Sequence, residues 1–152
     1  MSVNILYKNV AFARCRIYLI PLTSVLPPRN YALTEIKRLQ ADGMDIQAAV
    51  ASKTDEPEWA KICMEYMAID DGSSLASCFG SRVEISYGSK VGHITRLHKQ
   101  TGVPFHQIAF FDNEYGNIRA VATALPQVKC YYTRDGMTRE AWETAKVDFG
   151  LN

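Results

Sequence analysis

Short apolar runs alternate along the chain with stretches in which apolar residues recur every three or four positions. The short runs predict strands over residues 17–22, 46–51, 83–85, 108–111 and 128–133, and those over 17–22 and 108–111 are apolar enough to be buried. The three-to-four spacing predicts helices over residues 31–41, 56–67, 90–100 and 138–149, and one more after residue 113. Because strands and helices alternate, we expect an α/β fold with a mainly parallel sheet and helices on both faces.

Each predicted helix has an apolar stripe that we expect to face the core. In the helix of residues 56–67 this stripe is Trp59, Ile62, Cys63, Tyr66 and Met67. The last helix is expected to turn Trp142, Ala145 and Phe149 inward. Ser89 is suited to cap the helix of residues 90–100, whose stripe is Val91, Ile94 and Leu97. Residues 70–80 are predicted to form a loop.

The composition is that of one globular domain without a strongly charged partner. The 152 residues are 47% hydrophobic and 22% charged, and the formal net charge is +1. This length suits a single domain over residues 1–152. The small net charge gives no reason to expect nucleic acid or a membrane as a partner, and no apolar run approaches the length of a transmembrane helix. Four widely spaced cysteines indicate reduced thiols in a cytoplasmic compartment.

Residues 1–28 differ in composition from the rest of the chain. No acidic residue precedes Glu35, whereas four basic residues do: Lys8, Arg14, Arg16 and Arg29. A basic, acid-free start is typical of organellar transit peptides, although three prolines argue against a long helix there. We expect residues 16–20 of this atypical segment to supply a central strand of the sheet.

Four polar residues fall where predicted strands end or helices begin. Ser52 follows the strand of residues 46–51, Lys90 opens a helix, and Asp112-Asn113 follows the strand of residues 108–111. Ligands bind at the carboxyl edge of such sheets. A hydroxyl and an ammonium there would bind phosphate, and an Asp-Asn pair would bind Mg²⁺. In the simpler interpretation Ser52 and Asp112 only cap the helices that follow, and Lys90 is a solvated lysine.

Three segments together resemble one enzyme family. YGSKVGHITRLHKQTGVPFHQIAFFDNEYGNIRAV (residues 87–121), AAVASKT (residues 48–54) and YYTRDGMT (residues 131–138) resemble the magnesium-dependent phosphatases of the haloacid dehalogenase (HAD) superfamily. The likeness covers about residues 28–145. It implies a Rossmann-like sheet, Mg²⁺ as cofactor and hydrolysis of phosphomonoesters. The partner would be a phosphorylated small molecule or a phosphotyrosine protein.

The resemblance also implies a role for each polar residue. Ser52 would bind phosphate, and Lys53 stands where the family has an arginine that contacts phosphate or substrate. Lys90 matches the lysine that stabilises the phosphoryl group, so Ser52 and Lys90 would serve catalysis. Asp112 and Asn113 match an acidic pair that holds the metal. Asn113 departs from the usual aspartate, although an amide oxygen can also bind magnesium.

The first motif of the family is missing from this chain. Family members carry Asp-x-Asp-x-Thr at the end of the first strand, where one aspartate attacks phosphorus and the other transfers protons. If Thr23 matches the threonine, Leu19 and Pro21 replace the two aspartates. Neither side chain can perform these steps, and Leu19 also removes a metal ligand.

Three interpretations of function remain open at this point. The chain is a phosphatase by descent that is inactive as written, or a non-catalytic protein that binds a phosphorylated ligand. Alternatively, residues before about Pro28 are not the native N-terminus, and the aspartate motif is encoded elsewhere. His93, His98 and His106 share no metal-ligand spacing, so we expect them at the surface or in a supporting position.

Overall fold

The computed structural model describes the backbone of residues 2–5, 17–21 and 31–151, and the side chains of residues 31–151. Its strands are β1 (Ser2–Ile5), β2 (Ile17–Pro21), β3 (Gln47–Lys53), β4 (Val83–Ser86), β5 (Ile108–Asp112) and β6 (Lys129–Tyr132). Its helices are α1 (Tyr31–Ala41), α2 (Pro57–Tyr66), α3 (Leu75–Phe79), α4 (Lys90–Thr101), α5 (Tyr115–Ala124) and α6 (Arg139–Asp148). The expectations for Cys15, Arg16, Thr23 and Pro28 lie outside the described residues.

The described strands form one sheet in the order β4-β3-β1-β2-β5-β6. Three neighbouring pairs are parallel: β3 with β4, β2 with β5, and β5 with β6. β1 is antiparallel to both of its neighbours, β2 and β3. The prediction of an α/β fold with parallel strands is therefore confirmed, but the antiparallel β1 was not predicted. Its four residues are too few to reveal a period of two.

The strand directions bring the polar strand ends to one edge of the sheet. Since β1 opposes both β2 and β3, the five strands β2 to β6 all run the same way. Their carboxyl ends, including Ser52, Ser86, Asp112 and Tyr132, therefore meet at the same edge. In α/β sheets this is the edge at which ligands bind.

The core forms around β5, all five of whose residues are buried. The largest fully buried side chains are Trp142, Phe79, Phe110, Phe111, Leu33 and Ile36. Trp142, Ala145 and Phe149 face inward as predicted. α4 packs on β3 and β4 and contacts α5, while α1 contacts α6. Cys63, Cys78 and Cys130 are free thiols, as expected.

The predicted inner face of α2 is wrong. The helix buries Ala60 and Met64, whereas Trp59 is 65% exposed, Ile62 44% and Tyr66 86%. Because Ala60 and Met64 are four residues apart, they form one side of the helix, which contacts α3 and β4. The size of the apolar side chains suggested the opposite side, but the neighbouring elements decided which side is covered.

Two further expectations need correction. The segment predicted as a loop contains α3, which begins after Ser74, whose side chain accepts a hydrogen bond from the amide of Ser77. In α4, Ile94 and Leu97 are buried as predicted, but Lys90 and His93 complete the buried side and Val91 is half-buried. Among the described residues, no helix is both long and apolar enough to cross a membrane.

Candidate functional site

Lys90 lies at the start of α4 and is almost completely buried. Ser89 caps the helix by accepting a hydrogen bond from the Gly92 amide at 3.1 Å. The Lys90 ammonium donates to the carbonyl of Ala51 at the end of β3 (2.6 Å) and lies 3.3 Å from Asp112 Oδ2 at the end of β5. The alternative of a solvated lysine is therefore wrong, and this side chain joins two strand ends.

Asp112 is fully buried and lies between Lys90 and the first turn of α5. Its Oδ1 accepts hydrogen bonds from the Glu114 amide (2.7 Å) and from the Asn117 side chain (3.2 Å). Asp112 thus organises the start of the following helix, as the simpler interpretation held. It also faces the Lys90 ammonium through Oδ2, which helix capping alone does not require.

Ser52 lies next to the carbonyl that Lys90 binds. The residue is fully buried, and its hydroxyl has no hydrogen-bond partner among the residues that the structure describes. It does not cap α2, because Glu56 occupies the N-cap position of that helix without a side-chain bond. A buried hydroxyl usually has a hydrogen-bond partner. The Ser52 hydroxyl therefore has an unused hydrogen bond at the edge where α/β sheets bind ligands.

The balance of burial and charge sets the properties of Lys90. Burial lowers the pKa of the Lys90 ammonium, because a charge loses favourable hydration inside the protein. The carboxylate of Asp112 acts in the opposite direction and favours the charged form. The ammonium and the carboxylate together form an ion pair with almost no net charge, and this pair is shielded from water.

Lys53 and Asn113 lie beside this buried group. Lys53 is exposed, and its ammonium lies 5.6 Å from the centre of the Tyr87 ring. Asn113 is half-buried and directly follows Asp112. The structure thus brings Lys90 and Asp112 together, with Ser52 directly after the carbonyl that Lys90 binds and Lys53 exposed next to it.

The oxygen donors available for Mg²⁺ are few. Over the described part of the chain, no three His, Cys, Asp or Glu side chains group to hold a metal ion, and residues 1–34 contain no Asp or Glu. Asp112 and Asn113 supply one carboxylate and one amide oxygen. Such a pair suits Mg²⁺ only when phosphate and water complete its shell. The Asp112 oxygens already contact Lys90, Glu114 and Asn117.

The strand beside Asp112 contains no acidic residue. β2 pairs in parallel with β5, with Leu19 opposite Phe110. Its five residues are Ile17, Tyr18, Leu19, Ile20 and Pro21. This part of the edge therefore provides no carboxylate nucleophile.

Sequence reasoning missed two groups at the same edge. Ser86, the last residue of β4, lies 3.0 Å from Nε2 of His93, a fully buried residue one turn after Lys90. Beyond β6, Thr133 is buried, and its hydroxyl has no hydrogen-bond partner within residues 31–151. Its amide donates to the Asp112 carbonyl at 2.9 Å. The position of His93 three residues after Lys90 was the available sequence signal for the first group.

Aromatic side chains surround this edge. Tyr87 is 81% exposed just after β4, Tyr115 is 64% exposed at the start of α5, and Tyr132 is 48% exposed at the end of β6. The rings of Tyr115 and Tyr132 meet edge to face, with centres 5.5 Å apart. The edge thus offers planar apolar surface next to buried charge.

The chain is similar in sequence to known phosphatases and a related hydrolase. A family model described as acid phosphatase matches residues 23–149. The chain is 39% identical to human magnesium-dependent phosphatase 1 over 102 residues, which is 67% of this chain and 52% of that protein. It is 31% identical to a HAD-like hydrolase superfamily protein of Schizosaccharomyces pombe over 74 residues, 47% of this chain and 43% of that protein. The chain thus spans about half the length of these relatives.

Proposed function

Because the chain belongs to the acid phosphatase family, we propose that it binds the phosphoryl group of a phosphorylated ligand at the carboxyl edge of its sheet. Ser52 and Lys90 would bind the phosphate oxygens, with Lys53 at the entrance. We expect negligible hydrolysis of the phosphate ester, because the described residues of β2 include no carboxylate to act as the nucleophile.

One observation carries this proposal. The Lys90 ammonium is buried between the ends of β3 and β5 and donates to the carbonyl of Ala51, the residue before Ser52. The Ser52 hydroxyl has no hydrogen-bond partner in the described part of the chain. An ammonium and a hydroxyl are the donors that a phosphate dianion needs. A bound phosphate would pair the Ser52 hydroxyl and add a second anion beside Lys90.

The surface around the edge supports two ligand classes. Lys53 and Tyr87 on one side, and Tyr115 with Tyr132 on the other, offer a cation and aromatic faces. A phosphorylated small molecule could stack a planar or sugar group there. A phosphotyrosine side chain of a protein would make the same contacts, so either ligand is compatible with the proposal.

Magnesium would have a supporting part in this site. Asp112 and Asn113 would hold the ion, and it would neutralise negative charge on the bound phosphate. Since the Asp112 carboxylate already contacts Lys90 and the start of α5, we expect the ion to bind weakly. Lys90 is then the main positive charge for the ligand.

The expected lack of hydrolysis follows from the size of the barrier. Hydrolysis of a phosphate monoester is among the slowest uncatalysed reactions and needs an acceleration of up to about 10²¹-fold. Charge stabilisation by Lys90 supplies only part of such an effect. Without a carboxylate at Leu19 or Pro21, no covalent intermediate can form at the end of β2.

Binding can be tested directly with inorganic phosphate. Titration of the ¹⁵N-labelled chain should shift the amide resonances of Ser52 and Lys90, and calorimetry should give the affinity. Lys90→Met should weaken binding at least about tenfold, because it removes a charged hydrogen bond. Lys99→Met, an exposed lysine on the same helix, is the matched control. Absence of any resonance shift at high phosphate concentration would reject the proposal.

A second candidate is an active phosphatase. Family membership and the similarity to human magnesium-dependent phosphatase 1 favour it. Turnover of p-nitrophenyl phosphate with Mg²⁺ decides between the two, since the first proposal predicts a rate no higher than that of a heat-denatured sample. Clear turnover that is lost in Asp112→Ala would establish the second candidate.

A further inference from the structure

His93 is buried at the same edge of the sheet and has no role in the site described so far. It lies one turn after Lys90 on α4, and its side chain is fully shielded from solvent. Its Nε2 lies 3.0 Å from the hydroxyl of Ser86, the last residue of β4. This hydrogen bond connects the first turn of α4 with the end of β4.

The loop between these elements packs closely against the His93–Ser86 contact. A Cβ atom at Gly88 would lie 3.3 Å from His93 Nε2 and 3.8 Å from the Ser86 hydroxyl. Gly88 is not one of the described glycines with positive φ, so close packing rather than backbone conformation favours glycine here. The backbone at Gly88 therefore lies close to the histidine ring, and a larger residue at this position would displace the ring by a few tenths of an ångström.

The chemistry of the ring argues for more than packing. Burial, together with the positive charges of Lys90 and Arg96, lowers the pKa of His93 to about 4. The ring is therefore neutral near pH 7 and does not repel the ammonium of Lys90. Its Nδ1 is buried and has no hydrogen-bond partner among the described residues. An unpaired buried polar atom destabilises a fold, so an apolar side chain would serve a purely packing role better.

We propose that His93 is a positioning residue for Lys90. Through Ser86 it holds the first turn of α4 against the end of β4, and this fixes the place where the Lys90 ammonium meets a bound phosphate. The inference rests on the proposed phosphate site. It adds Ser86, His93 and Gly88 to the residues on which ligand affinity depends.

Two substitutions remove the contact from opposite sides. Ser86→Ala keeps the histidine and deletes its partner, whereas His93→Leu keeps the volume of the side chain and deletes the hydrogen bond. Each should weaken inorganic phosphate binding by about five- to tenfold, the size expected for one hydrogen bond. His93→Gln, whose amide can bond Ser86 again, should restore affinity to within about twofold of the unmodified chain. His98→Gln, the same change near the other end of α4, is the control and should leave affinity unchanged.

A double-mutant cycle separates positioning from general stability. In a Lys90→Met background, Ser86→Ala should have no further effect on phosphate affinity, because there is no ammonium left to position. If Ser86→Ala and His93→Leu only lower the thermal midpoint and leave phosphate affinity of the folded chain unchanged, the inference is overturned. The inference would also be overturned if Ser86→Ala lowered phosphate affinity equally in the unmodified chain and in the Lys90→Met background.

If the unmodified chain does not bind phosphate, the positioning role can still be tested by a measurement on the ligand-free chain. Absence of phosphate binding would reject the proposed function. The ¹⁵Nζ resonance of Lys90 then reports on the position of the ammonium directly. A shift of this resonance in Ser86→Ala, with none in His98→Gln, supports the positioning role, whereas an unchanged resonance in both excludes it.

Discussion

Lys90 and Asp112 are two opposite charges that the fold removes from water together. Their side chains are 3% and 0% exposed, and the ammonium lies 3.3 Å from the carboxylate. Burying one charge alone is costly, whereas a pair that also makes hydrogen bonds is tolerated. Ala51, Glu114 and Asn117 supply those further bonds. At the scale of the residue, the burial of the Lys90 ammonium and the burial of the Asp112 carboxylate are therefore each tolerated only because the other charge is present.

Breaking this pair from one side should destabilise the chain strongly. Lys90→Met leaves the Asp112 carboxylate without its cation, and we expect the free energy of unfolding to fall by about 3 kcal/mol. Replacing both residues, as Lys90→Met with Asp112→Leu, should cost less than the sum of the single changes. Urea unfolding measures all three variants, and additive losses would contradict the coupling.

The low pKa of His93 predicts a loss of stability in mild acid. The unfolded histidine has a pKa near 6.5 and the folded one about 4, so between these values the unfolded chain binds more protons. The contribution of His93 to stability is therefore present above about pH 6.5 and falls as the pH drops toward 4, by about 3 kcal/mol. The part due to His93 should vanish in His93→Gln. Urea unfolding from pH 7 to pH 4 tests this, and identical pH curves for the two chains would refute it.

The helices show how elements are oriented by their neighbours rather than by their own apolar residues. α6 turns its largest side chain, Trp142, into the core, but α2 exposes Trp59 and buries Ala60 and Met64. α2 contacts α3 and β4, where small and flexible side chains fit. Each helix thus forms because of a strong local preference for helix, whereas the side that it buries is set by the elements packed against it.

Two truncations on α2 test that orientation within one helix. Met64→Ala removes a buried side chain and should lower the free energy of unfolding by about 2–4 kcal/mol. Trp59→Ala removes a larger but exposed side chain and should change it by less than about 0.5 kcal/mol. Chemical denaturation of both variants gives the comparison. If Trp59→Ala costs more, the orientation of α2 described above is wrong.

In the whole molecule, five strands of common direction bring distant polar residues to one edge. Ser52, Lys90 and Asp112 are up to sixty positions apart, yet Lys90 reaches the ends of both β3 and β5. The same topology sets β2 beside β5 without an acidic residue. The proposed phosphate site therefore has hydrogen-bond donors from Ser52 and Lys90 and, among the described residues of β2, no carboxylate, which is a balance that favours an anionic ligand.

This balance predicts a small effect of metal removal. Chelation of Mg²⁺ with EDTA should change the affinity for inorganic phosphate by less than about threefold, because few oxygen donors are left to hold the ion. Loss of the Lys90 charge should have the larger effect. Calorimetry with and without Mg²⁺ makes the comparison. An affinity that disappears on chelation and returns with added Mg²⁺ would place the metal, not Lys90, at the centre of the site.

The sequence by itself predicted the helices and strands other than β1 and α3, and it supplied the candidate residues of the proposed site. The apolar run of β5 and the helical spacing around Trp142 are local patterns, and local backbone preferences are written in consecutive residues. The motifs around Ser52, Lys90 and Asp112 likewise identified the family that the comparison assigned.

Only the tertiary structure decided how these elements are used. The burial of His93 against Ser86, the exposed side of α2 and the antiparallel β1 depend on contacts between residues distant in the chain. No local pattern encodes such contacts, because the same apolar or polar side chain suits either a core or a surface until its neighbours are known. For the same reason Lys90, which could have been one more solvated lysine, became the buried charge around which the site is built.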